Sequence, residues 1–153
     1  MTEACGAGPA VARGSLKSLW LMFQWLRKLR RHGSPLSGAP ATRRLKFYSA
    51  QGGYVYQYYY AGHRVSAAVT EYVFQVSGDR RTYSPVSVHL AGNVLANWHQ
   101  QHGRELSPNE RYAVVKMALF QAFDERGTPS EMRLPVQIRP AGLDLIAETL
   151  GFE

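Results

Sequence analysis

The chain reads as an α+β protein: about four antiparallel strands in two consecutive hairpins, then two or three helices packed on one face, all preceded by a basic helical arm. Three observations predict this. Apolar residues alternate at period two between residues 45 and 90, recur at helical spacing beyond residue 107, and the positive excess lies entirely in the first third. Strands grouped ahead of helices place those helices on one side of an antiparallel sheet.

The arm comes first. Residues 1–46 hold nine basic residues against Glu3 alone, a charge of +8, whereas residues 47–153 hold nine against ten acids, or −1. Such asymmetry describes a basic arm (residues 1–44) on a near-neutral domain (residues 45–153), not a basic domain. Within the arm, Ser15 to His32 is predicted helical: Ser15 serves as N-cap, no Gly or Pro interrupts, cations gather in the last turn and Gly33 ends it. Gly33 to Thr42 has a linker composition rich in Gly, Pro, Ser and Ala. The apolar stretch Leu16–Leu26 spans about 16 Å as a helix, too short for a hydrocarbon core of ~30 Å. Trp20 and Trp25 beside the cations Arg27, Lys28, Arg30 and Arg31 suit the surface of a membrane instead.

The strands follow. Residues 45–50 and 54–60 flank Gln51-Gly52-Gly53, a hairpin signal because glycine supplies the positive φ that tight turns need. A second hairpin joins residues 70–76 to residues 85–90 through Ser77-Gly78-Asp79-Arg80. Alternation sends Tyr72, Phe74 and Val76 to one face, with Val86, Val88 and Leu90 likewise in phase and His89 pointing away. Gly62-His63-Arg64, after the tyrosine run, is expected in a turn, where binding residues are common.

Helices complete the fold. Asn93 to His102 is a short one ended by Gly103. Ser107-Pro108-Asn109-Glu110 is a strong start signal, with Ser at the N-cap, Pro at the first position and Glu completing a capping box. The helix it opens places Tyr112, Val115, Leu119, Phe120 and Phe123 on one broad face. Val136–Arg139 reads as a short edge strand and Leu143–Leu150 as a last helix.

Composition narrows the function. With 45% hydrophobic residues the chain has enough apolar matter for a core, and a single cysteine forbids an internal disulfide framework. There is no GxGxxG, Walker loop, GxSxG or HExxH, so no catalytic residue, cofactor or metal site is assigned.

The candidate binding residues are Tyr54, Tyr56, Tyr58 and Tyr60, in phase along one strand, with His63 and Arg64 beyond them. Rings so arranged either cover the sheet beneath the helices or offer bases a stacking platform. The anionic-partner set of the arm is Arg27, Lys28, Arg30, Arg31, Arg43 and Arg44. Lys116 falls inside the apolar stripe of the long helix, where lysines usually lay their stems on the core and carry the charge to its edge. His99 and His102 have the i, i+3 spacing that some metal sites use, without an evident third ligand.

The sequence therefore predicts a small non-enzymatic interaction module. Its domain contacts a protein or its own copy, and its arm contacts an anionic partner. Nucleic-acid binding by arm and tyrosine face is the first alternative; a small enzyme using His63, Lys116 or the His99/His102 pair is the second. The expected location is cytoplasmic, with peripheral membrane association or organellar targeting as further options and no transmembrane span.

Overall fold

A computed structural model describes residues 34–152 of the chain; the arm helix with Trp20, Trp25, Arg27, Lys28, Arg30 and Arg31 lies outside the described residues. Five strands, β1 (Lys46–Ser49), β2 (Val55–Val65), β3 (Val69–Ser77), β4 (Ser84–Ala91) and β5 (Val136–Gln137), form one sheet in sequential order. Neighbours pair antiparallel except β5, which joins β4 in parallel after the helices have crossed over. The crossover consists of α1 (Gly92–His102), α2 (Pro108–Glu125) and a 3₁₀ turn at Pro129–Arg133, and α3 (Pro140–Leu150) follows β5. The α+β class and the antiparallel succession of the first four strands match the expectation.

One local expectation is corrected. Gly62, His63 and Arg64 lie within β2 and not in a turn; the strand continues past the tyrosines and enters β3 through a tight turn at residues 66–68. A bulge makes this continuation feasible. The register shifts between Tyr60 and Gly62, Gly62 takes φ +131°, and pairing resumes at Gly62 opposite Val73. The two consecutive hairpins form one four-stranded meander, as expected.

Strand parity builds the core. Tyr56, Tyr58, Tyr72, Phe74, Val76, Val86, Val88 and Leu90 are buried against Val94 and Trp98 of α1, Val115, Leu119 and Phe123 of α2, and Leu143 and Ile146 of α3. The long helix is seated by aromatic contacts. Phe123 stacks on Tyr56 with centroids 4.3 Å apart, and Phe120 stacks on Tyr48 at 4.4 Å. The Tyr48 hydroxyl donates to Asp124 Oδ2 at 2.6 Å, which ties the last turn of α2 to the edge strand. At the other end of α2 the capping box forms as predicted: the Glu110 amide donates to Ser107 Oγ, and the Ser107 amide donates to Glu110 Oε2. None of the helices among the described residues is long and apolar enough to cross a membrane.

The face of the sheet turned away from the helices carries one polar row. Arg64, Glu71, His89 and Gln137 stand opposite one another across β2, β3, β4 and β5. Arg64 pairs with Glu71 at 3.2 Å, Ser87 Oγ donates to Glu71 Oε1 at 2.6 Å, and His89 Nδ1 meets Gln137 Nε2 at 2.7 Å.

Two substitutions separate core docking from capping. Phe123→Ala is expected to cost about 3–5 kcal/mol, since it empties a buried stacking position. Ser107→Ala is expected to cost about 1 kcal/mol through one lost cap. Urea unfolding of the full chain measures both; equal effects contradict this account of how α2 is held.

Candidate functional site

The site arises where the edge of β2 loses its partner. Strand β1 covers β2 only from Val55 to Tyr58, and the preceding chain rejoins β2 at His63. There the Ser37 amide donates to the His63 carbonyl at 2.8 Å and the His63 amide to the Ser37 carbonyl at 2.9 Å. Two glycines permit this close crossing. Gly38 has φ +68°, and a Cβ there would stand 2.8 Å from His63 Cε1; a Cβ on Gly62 would stand 2.7 Å from the Ser37 carbonyl oxygen. Between this clip and β1, residues 38–45 arch away from the sheet edge.

Under the arch lies a half-open cleft of about 520 Å³, within the usual range for ligand sites. Its walls include Arg44, Lys46, Tyr58, Tyr60 and Tyr112. An adjoining hollow of about 350 Å³ shares Gly38, Tyr60 and Tyr112 and extends to His63, Tyr72 and Arg111. Among the described residues, no Asp or Glu lines either space. Arg44 and Lys46 arrive there by parity: Lys46 pairs with Tyr58, and Arg44, two residues earlier, follows it onto the helix side.

The phenols stay protonated in this setting. Burial pushes Tyr58 and Tyr60 up to about 12, with neighbouring tyrosines adding to the effect, and burial raises Tyr72 and Tyr112 as well. Each therefore remains an O–H group able to donate to an anion. Tyr60 Oη and His63 Nδ1 share a hydrogen bond of 3.0 Å, which orients the ring at the back of the cleft. Lys116 stands beside this region. Its Nζ lies 5.4 Å from the Phe120 ring centroid, and its pKa is lowered by burial first and by the charge of Lys46 second.

The structure divides the candidate residues. Tyr58, Tyr60 and Arg44 meet in the cleft, with His63 behind them. Tyr56 is fully buried under Phe123, and Tyr58 is 3% exposed, so neither ring presents an open face to a base. Tyr54, just before β2, is 39% exposed at the far end of the ladder, beside the β3–β4 turn and the 3₁₀ turn. Arg64 belongs to the opposite face, and Arg43 also turns that way, its guanidinium 5.4 Å from the Tyr59 ring centroid. Histidines 99 and 102 are exposed on α1, where His102 stacks on Trp98. Among the described residues there is no cluster of three His, Cys, Asp or Glu suited to a metal.

Sequence reasoning missed Lys46 as a site residue and treated Tyr112 as core alone. The signal for Lys46 is its even spacing from Arg44 in an extended segment. Nothing local marks Tyr112, which is delivered by the packing of α2.

No protein-family model, curated protein or solved structure matches this chain.

Alkaline titration tests the tyrosine environment. Tyr48, hydrogen-bonded to Asp124, is raised to about 12, as are Tyr58 and Tyr60. The neutral phenols favour the folded state below the ordinary value of 10.0, and this contribution is lost as pH rises through about 12. Ultraviolet difference spectra should resolve a late-ionising group that shrinks in Tyr48→Phe, Tyr58→Phe and Tyr60→Phe. A single wave near 10 contradicts it. The clip has its own test. Gly38→Ala should cost about 1–2 kcal/mol from the left-handed backbone alone, and should speed amide exchange at Ser37 and His63 before α2 is affected.

Proposed function

We propose that this chain is a non-enzymatic binding module whose ligand is anionic, held between Arg44, Lys46 and the tyrosines of the cleft. The observation that carries the reading is the lining itself: two cations and three phenols, without a carboxylate among them. Arg44 and Lys46 stand exposed at the mouth of the cleft above buried and half-buried phenols, and hydrogen bonds from charged groups to an anion are stronger than those between neutral groups. The arch above the cleft is held at both ends, by the Ser37–His63 bridge and by β1, so the site is formed before any ligand arrives.

The disposition of the catalytic candidates favours binding over catalysis. His99 and His102 are exposed on α1, Lys116 lies along Phe120, and His63 is engaged through its backbone and through Tyr60. Stacking of a nucleic acid along the whole tyrosine ladder is disfavoured by the burial of Tyr56 and Tyr58. The arm extends the same chemistry, because Arg44 and Lys46 are the last cations of the basic run that begins at Arg13.

The test uses the full chain, isotope-labelled, titrated at low ionic strength with benzoate and benzenesulfonate. Amide shifts should cluster at residues 38–46, 58–63 and 111–116. Combined Arg44→Ala and Lys46→Ala should weaken binding by about tenfold or more, the equivalent of one charge-assisted contact. Arg64→Ala, on the opposite face, should leave it unchanged. Shifts scattered over the surface, or centred on Glu71 and His89, refute the proposal.

A further inference from the structure

The charge of the cleft narrows its ligand. Arg44 and Lys46 line the space, and Lys116 stands close enough to Lys46 for the two ammonium groups to repel each other. None of the three has an ion-pair partner among the described residues. Glu125, at the end of α2, lines a different hollow beside β5, and the other carboxylates of α2 and of the turn before it are engaged elsewhere. Glu110 pairs with Arg104 at 3.1 Å, Glu105 with Arg111 at 3.7 Å, and Asp124 accepts from the Tyr48 hydroxyl. Two cations therefore line the space and a third, one helical turn beyond Tyr112, stands beside it, with no carboxylate of the described residues among the lining.

A carboxylate or sulfonate brings one charge, which leaves two of the cations still opposed. A phosphate monoester brings about −1.5 to −2 at pH 7 and three strong acceptor oxygens. Those oxygens suit the donors present: two cationic heads and the hydroxyls of Tyr58, Tyr60 and Tyr112. The apolar remainder of such a ligand has the tyrosine rings to lie against, where Tyr60 and Tyr112 meet edge to face at 5.1 Å. A phosphodiester of a nucleic-acid backbone carries a single charge per phosphate and gives up one of the free oxygens.

On these grounds we infer that the anionic group bound in the cleft is a phosphate monoester dianion, on a small molecule or on a phosphorylated side chain. The inference rests on the anion-binding reading above and adds the chemical class of the ligand. Lys116 is then a specificity-determining residue: its attraction for a dianion is about twice that for a monoanion.

Phenyl phosphate, methyl phenyl phosphate and benzenesulfonate, titrated into the full chain under the same conditions, decide it. Phenyl phosphate should bind about tenfold or more tightly than either monoanion. Lys116→Gln should cut that preference by about threefold, weakening the monoanions by a similar factor and phenyl phosphate by about tenfold, with thermal unfolding close to that of the parent. Equal affinities for the three probes overturn the phosphate inference and leave the anion-binding reading standing. Absence of shifts at residues 38–46 with every probe overturns both. A phosphotyrosine peptide and its unphosphorylated twin separate the sources. Tighter binding of the phosphopeptide than of phenyl phosphate supports a phosphorylated partner, parity supports a small phosphomonoester, and equal binding of the two peptides overturns the inference for a protein source.

Discussion

The seating of α2 on the tyrosines of β1 and β2 is the contact on which the rest of the structure depends. Phe120 and Phe123 lie flat on Tyr48 and Tyr56, and the hydroxyl of Tyr48 reaches Asp124 at the helix end. Stacked rings fix rotation as well as distance, because sliding or turning the helix loses the offset geometry that aromatic pairs prefer. With that rotation set, the residues one and two turns earlier have determined places. Lys116 emerges at the β1 side, and Tyr112 reaches Tyr60. The helix thus closes one half of the tyrosine ladder and leaves the other half as the wall of a cleft.

The second constraint is local and lies in two glycines. A strand of eleven residues beside a partner of four must leave backbone groups at its edge unpaired, and an exposed edge invites pairing with another chain. Here the chain's own segment at Ser37 takes up the pairing at His63, and it comes that near only because Gly38 and Gly62 lack side chains. The bulge at Gly62 also returns His63 to the helix side, where its ring lies beside Tyr72 and bonds to Tyr60. One backbone irregularity therefore anchors the arch and orients the back of the cleft.

Much of the fold was legible in the sequence because it rests on short-range rules. The period-two alternation at Tyr72, Phe74 and Val76, the capping box at Ser107 and Glu110, and the apolar stripe through Leu119 and Phe123 all require only neighbours within a few residues. The extension of β2 through His63 was not legible, since Gly62 is as good a turn signal as a bulge signal until the partner strand is known. The parallel placement of β5 depends on the whole helical crossover that precedes it. The site was half legible. Tyr58, Tyr60 and Arg44 were marked by residue type, whereas Lys46 and Tyr112 became site residues through a strand pairing and a helix packing that no local pattern encodes.

Charge shows the same division most clearly. Counted along the chain, Arg43, Arg44 and Lys46 close a single basic run; in three dimensions, strand parity sends them to different faces. Arg43 lies over Tyr59 on the side away from the helices, and Arg44 and Lys46 turn toward α2. A cation on that face is separated by the sheet from the space that Arg44 and Lys46 line. Two cations gathered at a half-buried cleft, beside a third that burial and Lys46 already destabilise in its charged form, favour whatever brings negative charge to them. Net charge by itself therefore says little about recognition in this protein. The parity of an extended segment, which decides how many of its cations face the same space, says considerably more.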